Sequence, residues 1–336
     1  MVGNTVIRVA LNWIPGAKVI TGPKFKKAVF MFAKSPLTKT IFTITALIAS
    51  SAQATSDTTQ AFQNVIYSEA GQAKPEATLP LSSEAFGDSD TTTFYWLGLA
   101  GFLINSHGTT FMIDPLLEGF DMEVMIDFPI RTEDVPALDA ILVTHADNDH
   151  FSIPTLSKLN NPSTVIHSTQ YVGSLMQQHE FNGAGHDIGD SFKINRNVDV
   201  KVMPADHAWQ NAYPDAADRV FKDEDSAGFW IQTEEGTIWA TGDSRLMPEQ
   251  LTYAPAPDII LFDFSDSEWH FTFEGAVKLA NAYPEAILLL HHWGSVNAPD
   301  FSPFNGDPNA LLTRVTNPER IKVLAPGEPF VWPGKK

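Results

Sequence analysis

From Thr91 onward, hydrophobic residues occur in short runs separated by glycine, proline and polar residues, the pattern of a chain rich in β-strands. Residues 92–115 predict three strands, because Gly101 and the His107-Gly108 pair break the apolar pattern as hairpin turns do. Valines alternate with polar residues over 197–204, as expected of a half-buried strand. Further apolar runs predict strands at 140–144, 164–167, 229–233, 237–241, 259–262, 286–291 and 321–324.

A helix is predicted at 273–282, between the strands at 259–262 and 286–291, which gives a strand–helix–strand unit. Many strands with interspersed helices, beginning with hairpins, indicate two sheets packed face to face with helices outside. No internal repeat or linker is visible after residue 91. We therefore expect an α/β fold, an αββα sandwich of two mixed β-sheets, formed by one domain over residues 91–336.

The region before this domain has a different composition. Residues 1–54 carry seven basic residues and no acidic one, and an apolar stretch at 41–49 precedes the small-x-small tripeptide Ala52-Gln53-Ala54. This order is typical of a secretory signal peptide. We expect residues 1–54 to be a targeting segment, with Met31 as the true start, and the mature protein to be periplasmic or secreted. The alternative is an uncleaved amphipathic anchor.

The apolar stretch of this segment is too short for a membrane span, which needs about 20 residues, so no stable membrane span is expected after signal removal. Residues 55–90 are rich in serine, threonine, alanine and acidic residues, and are expected to form a flexible leader.

The amino-acid composition excludes several classes of function. The 336 residues include no cysteine, which excludes disulfides, thiolate metal sites and cysteine nucleophiles. Without residues 1–54, 15 of the 22 lysines and arginines remain against 40 acidic residues, a net charge of −25. A domain with this net negative charge repels nucleic acid, so no nucleic-acid partner is expected. A small-molecule substrate is expected instead, and the sequence predicts no particular oligomeric state.

The stretch ILVTHADNDHFS, residues 141–152, places His145, Asp147, Asp149 and His150 within six positions after an apolar run. A core excludes such side chains unless something satisfies them together, and a divalent ion does so. Taken alone, this loop could also be a hydrogen-bonded turn.

Three later strands end in the same way. His207 closes the segment VKVMPADHAW, Asp243 follows TIWATG, and His291 and His292 close AILLLHH. Four strands that finish in histidine or aspartate, without any cysteine, indicate oxygen and nitrogen ligands gathered at one sheet edge.

With these segments in view, the chain resembles hydrolases of the metallo-β-lactamase fold, whose mark is His-x-His-x-Asp-His, a lone histidine, a bridging aspartate and a final histidine. It is most similar to the branch of ascorbate-phosphate lactonases and N-acyl phosphatidylethanolamine phospholipase D-like enzymes, through WLGLAGFLI, MIDP, EDVPALDAILVTHADNDHFS, PADHAW, TGDS and HHWGS. The likeness covers residues 93–294 and implies two divalent metal ions. It implies these ligands: His145, Asp147 and His207 for the first ion, Asp149, His150 and His292 for the second, and Asp243 as the bridge.

The resemblance selects His292, rather than His291, because the ligand of this family directly precedes Trp-Gly. His291 would point to the opposite face of its strand. Asp114 of MIDP is expected to support the metal loops by hydrogen bonds. The remaining histidines lack ligand spacing and are expected to be structural or exposed: His107, His167, His179, His186 and His270.

The chain departs from the family at Asp147, which stands where the family has its second histidine. A carboxylate is a harder ligand than imidazole and shifts preference from zinc towards manganese or iron. The added negative charge would also raise the pKa of a bridging water. The alternatives are a weak first site with a mononuclear enzyme, or loss of the metal.

These observations predict a metal-dependent hydrolase that uses a metal-bridged hydroxide to cleave a small ester, lactone or phosphodiester. Asp149 and Asp243 would be the catalytic residues, with Asp149 accepting the proton of the water and passing it to the leaving group. The alternatives are a metal-binding protein of the same fold with weakened catalysis, and a nucleic-acid-processing hydrolase, against which the charge argues.

Overall fold

The computed structural model describes residues 61–207, 210 and 219–334. The predicted targeting segment 1–54 lies outside these residues, as do residues 55–60 of the predicted leader. Across the described ranges the longest helix has ten residues, and no helix could traverse a lipid bilayer.

Sixteen strands and four α-helices make up the described fold. The strands are β1 (Val65–Tyr67), β2 (Ala73–Pro75), β3 (Thr92–Gly98), β4 (Gly101–Ser106), β5 (Thr109–Ile113), β6 (Ala140–Leu142), β7 (Val165–Thr169), β8 (Gly183–His186), β9 (Ser191–Lys193), β10 (Asp199–Pro204), β11 (Ala227–Gln232), β12 (Thr237–Ala240), β13 (Ile259–Asp263), β14 (Ile287–His291), β15 (Ile321–Lys322) and β16 (Pro329–Val331). The helices are α1 (Ile153–Leu159), α2 (Gln170–Gln178), α3 (Phe273–Ala282) and α4 (Pro308–Leu311).

Apart from the β1–β2 hairpin, the strands form two seven-stranded sheets. The first has the order β16-β3-β4-β5-β6-β7-β8, antiparallel as far as β5 and parallel from there to β8. The second has the order β15-β14-β13-β12-β11-β10-β9, parallel from β15 to β12 and antiparallel beyond. The predicted pair of mixed sheets is confirmed.

Alternation along the strands divides the apolar residues between two layers. In β4, Phe102 and Ile104 enter the cluster that also holds Val200 and Phe229 of the second sheet, and this cluster is the core between the sheets. Leu103, between them in sequence, faces the opposite side. There it joins a cluster that contains apolar residues of α1 and α2, so these helices cover the outer face of the first sheet.

The second sheet is covered in the same way by α3, whose Ala276, Leu279 and Ala280 are fully buried. Thr272 caps this helix by accepting a hydrogen bond from the Gly275 N–H at 3.2 Å. The αββα arrangement predicted from the sequence is therefore present.

The predicted strands and the helix at 273–282 appear within two residues of their expected bounds. Sequence patterns missed the edge strands β8, β9 and β16 and the helices α1, α2 and α4. The missed strands are only three or four residues long and mostly half-exposed, and β8 reads Gly-Ala-Gly-His. Such segments carry no hydrophobic periodicity from which a strand could be predicted.

The prediction of a flexible leader is wrong for residues 61–90. Val65 and Ala73 of the β1–β2 hairpin are buried, and the Gln72 side chain donates hydrogen bonds to the Val296 carbonyl at 3.0 Å and to Asn305 Oδ1 at 2.7 Å. The polar composition of this segment concealed its order, because the hairpin gains its partners from the distant segment 296–309.

The hairpin also lies against the backbone after His292. Gly294 has φ +60°, and a Cβ placed there would lie 2.7 Å from Lys74 Cα and 3.0 Å from the Ala73 carbonyl oxygen. Gly71, in the turn of the same hairpin, has φ +82° but open space around it.

We therefore expect Gly294→Ala to be more destabilising than Gly71→Ala. Both variants incur the cost of a left-handed alanine, about 1–2 kcal/mol, but only Gly294→Ala also forces two backbone segments apart, which adds about 1–3 kcal/mol. Urea unfolding of the two variants and the parent chain measures the difference. Equal losses would contradict the close packing of the hairpin against the Gly294 loop.

Candidate metal centre

The predicted ligands meet because the strands that carry them end at the same edge. β12, β13 and β14 are parallel neighbours, and β10 runs in the same direction because two antiparallel steps separate it from β12. These strands deliver His207, Asp243, Asp263 and His292. The first sheet contributes the loop after β6, so the centre lies across the two sheets.

The first group consists of His145, Asp147 and His207, whose ligand atoms lie within 4.8 Å of one another. Asp147 Oδ2 is 3.2 Å from His145 Nε2 and 3.0 Å from His207 Nε2. All three residues are buried. These are the residues that the family resemblance implies for the first ion.

The second group consists of Asp149, His150 and His292, also within 4.8 Å of one another. Asp149 Oδ2 is 3.3 Å from His150 Nε2 and 3.6 Å from His292 Nε2. His292 has φ 55°, a left-handed conformation that is uncommon for a residue with a side chain, and its N–H donates to the Leu99 carbonyl at 3.0 Å. These residues were assigned to the second ion.

Asp243 lies between the two groups. Its Oδ2 is 3.3 Å from His150 Nε2 and 3.9 Å from His145 Nε2, and its Oδ1 is 3.4 Å from His292 Nδ1. Asp243 therefore lies within 4 Å of members of both groups. All seven side chains predicted as ligands are therefore together, at distances of a few ångströms.

Hydrogen bonds outside the centre set the direction of the imidazoles. Asp114 accepts from His150 Nδ1 at 2.8 Å, and from the Thr144 N–H and hydroxyl at 2.7 Å each. The Trp269 carbonyl accepts from His207 Nδ1 at 3.0 Å. With Nδ1 occupied, each ring turns Nε2 towards the centre, as second partners of metal-binding histidines do. The supporting role predicted for Asp114 is confirmed.

The sequence missed one pair of residues. Asp263, the last residue of β13, accepts a hydrogen bond from His270 Nδ1 at 2.6 Å, and His270 Nε2 lies 3.5 Å from Asp243 Oδ2. Asp243, Asp263, His270 and His292 could together hold a metal ion. His270 was expected to be structural or exposed, but it is buried and belongs to the centre. Its position shortly after a strand end was the signal available in the sequence.

The other histidines are elsewhere. His291 is buried with its ring edge against Phe102, 6.1 Å between centroids, and belongs to no ligand group found in the described residues. Burial and the charge of His292 lower the pKa of His291 to about 4. His167 and His186 stack on Phe192, and His107 binds Glu235 at 2.7 Å.

Electrostatics keep the carboxylates of the centre ionised. Burial raises the pKa of Asp243, but the positive charges of His270, His292 and His150 outweigh it and hold that pKa well below its ordinary value. His150 and His292 do the same for Asp149. Burial lowers the pKa of His292, but Asp243, Asp149 and Asp263 raise it to about 10. The pKa of His145 is lowered by burial and by the charges of His150 and His207.

The side chains present fit a divalent metal ion. Asp243 Oδ1, His150 Nε2 and both ring nitrogens of His292 are buried and have no hydrogen-bond partner among the described residues. Buried polar atoms of this kind are rare unless an ion or a water satisfies them. Three anionic carboxylates surrounded by imidazole nitrogens are the donor set of zinc, manganese and iron sites.

A cavity of about 340 Å³ opens beside the centre. Asp147, Asp149, His207, Asp243 and His270 contribute to its floor. Its described walls are mostly apolar: Phe120, Met122, Trp269, Phe301, Pro303 and Phe304. A small molecule in this cavity would contact the predicted ligands directly. A larger cavity of about 610 Å³ lies between residues 80–86 and 128–136, and none of the centre's residues lines it.

Comparison with known proteins identifies the family of the chain. The model of the beta-lactamase superfamily domain matches residues 109–293, more than half of the chain. A UPF0173 metal-dependent hydrolase from Caldivirga maquilingensis is 26% identical over 251 residues, which cover 71% of this chain and 98% of that protein.

Solved structures have the same fold. Igni18, a metallo hydrolase from Ignicoccus hospitalis, matches with a TM-score of 0.55 at 19% identity, covering 73% of this chain and all of that one. An isothiocyanate hydrolase from Delia radicum gut bacteria matches with a TM-score of 0.56 at 18% identity, covering 71% and 98%. The chain therefore belongs to the beta-lactamase superfamily, as a metal-dependent hydrolase of the metallo-β-lactamase fold.

Proposed function

We propose that the protein hydrolyses a small ester, lactone or phosphodiester with two divalent metal ions. The observation that carries the proposal is the division of the buried ligand atoms into two groups, with Asp243 between them. The residues proposed to hold the ions are His145, Asp147 and His207 on one side, Asp149, His150 and His292 on the other, and Asp243 as their bridge.

Bound ions would supply a Lewis acid that activates water and stabilises the negative charge of the transition state. Asp114 and the Trp269 carbonyl hold the rings of His150 and His207 in fixed tautomers. The carboxylates of the centre are placed where one of them can accept a proton from the attacking water. Asp149 borders the cavity and is the proposed acceptor of the water proton. His270, held by Asp263, is a second group that can exchange a proton with substrate.

We propose manganese, iron or zinc as the metal. Asp147 replaces an imidazole nitrogen with a carboxylate oxygen in the first group, which favours the harder ions manganese and iron over zinc.

The first test is metal content and turnover of Asp243→Ala. We expect the parent protein to bind two ions per chain, and the variant to bind one or none and to lose more than about 100-fold in turnover. Elemental analysis and hydrolysis of chromogenic ester, lactone and phosphodiester panels measure both. Asp199→Asn is the matched control, since Asp199 lies on β10 in an exposed ion pair with Lys193.

Full turnover in Asp243→Ala with a reduced metal content would overturn the two-ion proposal. A parent protein that binds two ions but hydrolyses nothing in the panels would favour a metal-binding protein with weakened catalysis.

Metal affinity should increase as the pH rises. The pKa of His292 is raised to about 10 and that of His150 is also raised, so both rings are protonated at pH 7 without metal. An incoming ion must displace these protons, so affinity should increase about tenfold per pH unit for each proton displaced between pH 6 and 8. Calorimetry of Mn²⁺ or Zn²⁺ binding in buffers of different ionisation enthalpy counts the protons. Affinity that does not change with pH would contradict the assignment of these two rings as ligands.

We also propose that the protein is exported and cleaved after Ala54, on the basis of the basic, apolar and small-residue order of residues 34–54. Intact-mass analysis of periplasmic fractions from a Gram-negative host should find a chain that begins at Thr55. Ala52→Asp should leave the precursor uncut, because the cleavage site needs small residues. A precursor that keeps its N-terminus and stays in the cytoplasm would refute export.

A further inference from the structure

The described lining of the cavity beside the metal centre contains acidic side chains but no lysine or arginine, and Asp121 adds a further carboxylate. The segment that follows His207 in sequence, residues 208–218, contains no lysine or arginine either.

The basic residues that come next along the chain are already neutralised. Arg245, two residues after Asp243, binds Asp206 with 2.7 Å between Nη2 and Oδ1. Arg219 binds Asp225 at 2.7 Å, and its guanidinium lies over the Tyr171 ring at 3.8 Å. Neither residue lines the cavity.

This charge pattern disfavours an anionic substrate. Sites that bind phosphate groups use arginine, lysine or helix N-termini to hold the phosphate oxygens. The three carboxylates proposed as ligands would offset three of the four positive charges of two divalent ions, and Asp263 and Asp121 add further negative charge nearby. Little positive charge would then remain to stabilise a phosphoryl group whose negative charge grows during attack. The chain as a whole has a net charge of −18 and repels anions at longer range.

The walls favour an apolar group. Phe304 packs edge to face with Phe120 at 5.9 Å and with the His292 ring at 5.9 Å, so the apolar wall is in contact with the centre itself. Trp269, 39% exposed, and Phe301, 45% exposed, leave apolar surface that a bound substrate could cover. Covering such surface stabilises a bound apolar group. A volume of about 340 Å³ is at the lower end of the range for ligand sites, about 300–1,000 Å³.

We propose that the substrate is an uncharged ester or lactone with a compact apolar group, which lies against Phe120, Trp269 and Phe304. This inference rests on the proposed hydrolase function and narrows it. In the reaction, the water oxygen bonds to the carbonyl carbon and the acyl–oxygen bond breaks. Asp149 passes the water proton to the leaving oxygen, so an acid and an alcohol are formed.

The test compares substrates that differ in one property at a time, with the metal-loaded protein. p-Nitrophenyl acetate and butyrate differ in apolar length, p-nitrophenyl butyrate and mono-p-nitrophenyl succinate differ in a terminal carboxylate, and bis-p-nitrophenyl phosphate represents phosphodiesters. We expect kcat/KM to rise about tenfold from acetate to butyrate, since each buried methylene is worth about 0.8 kcal/mol. We expect the succinate ester to fall at least tenfold below the butyrate ester, and the phosphodiester to be inactive.

Two variants locate the effect in the cavity. Phe304→Ala should remove most of the gain from acetate to butyrate. Met122→Lys adds a cation to the wall and should raise the activity on the succinate ester relative to the butyrate ester. Val331→Lys, on the exposed strand β16 outside the cavity, is the matched control and should change neither ratio.

The outcomes separate the two proposals. Hydrolysis of the phosphodiester or the succinate ester as fast as the butyrate ester would overturn the inference on substrate class and leave the hydrolase function standing. No hydrolysis of any of these substrates, nor of chromogenic lactones, by protein loaded with two ions would overturn the proposed hydrolysis of esters, lactones and phosphodiesters.

Discussion

The structure depends on mutual compensation between buried charges at one end of the two sheets. Asp243 is enclosed by His150, His270 and His292, and a carboxylate in that position is tolerable only because positive charge surrounds it. The imidazoles are in turn fixed by acceptors behind them, of which Asp114 is the most connected. Removing one of these charged side chains leaves its partners buried without a compensating charge. The effects of substituting them on stability are therefore not independent.

The sequence predicted the residues of the centre that occur in short, recognisable motifs. Buried strands that end in histidine or aspartate indicated ligands at one sheet edge, and the family resemblance assigned the seven residues. The parallel order of β12 to β14, which brings three of these strand ends together, is known only from the structure. Asp263 and His270 were missed because their relation to the centre is spatial: Asp263 ends a strand without a recognisable motif, and His270 lies seven residues later in a loop. The β1–β2 hairpin was missed because its partners are more than 200 residues away in the chain.

Asp263 and His270 extend the centre beyond its seven predicted ligands. The Asp263 carboxylate also accepts hydrogen bonds from the N–H and the hydroxyl of Ser265, so the histidine is oriented by a partner that is itself fixed. A ring held in this way presents Nε2 to the cavity in one orientation, which suits proton exchange or a hydrogen bond to substrate. The hydrogen bond between Asp263 and His270 therefore links the end of strand β13 to the lining of the cavity.

The contact between the β1–β2 hairpin and the segment 296–309 has an evolutionary consequence. That segment carries Phe301 and Phe304, and the hairpin holds it through Gln72 without touching a metal ligand through those bonds. Substitutions at Gln72 can therefore shift the apolar wall through bonds that involve no proposed metal ligand, whereas changes at Ala73 or Lys74 also affect the backbone at Gly294, two residues after His292. Substrate selectivity can therefore evolve at Gln72, which lies outside the residues 109–293 that match the superfamily domain.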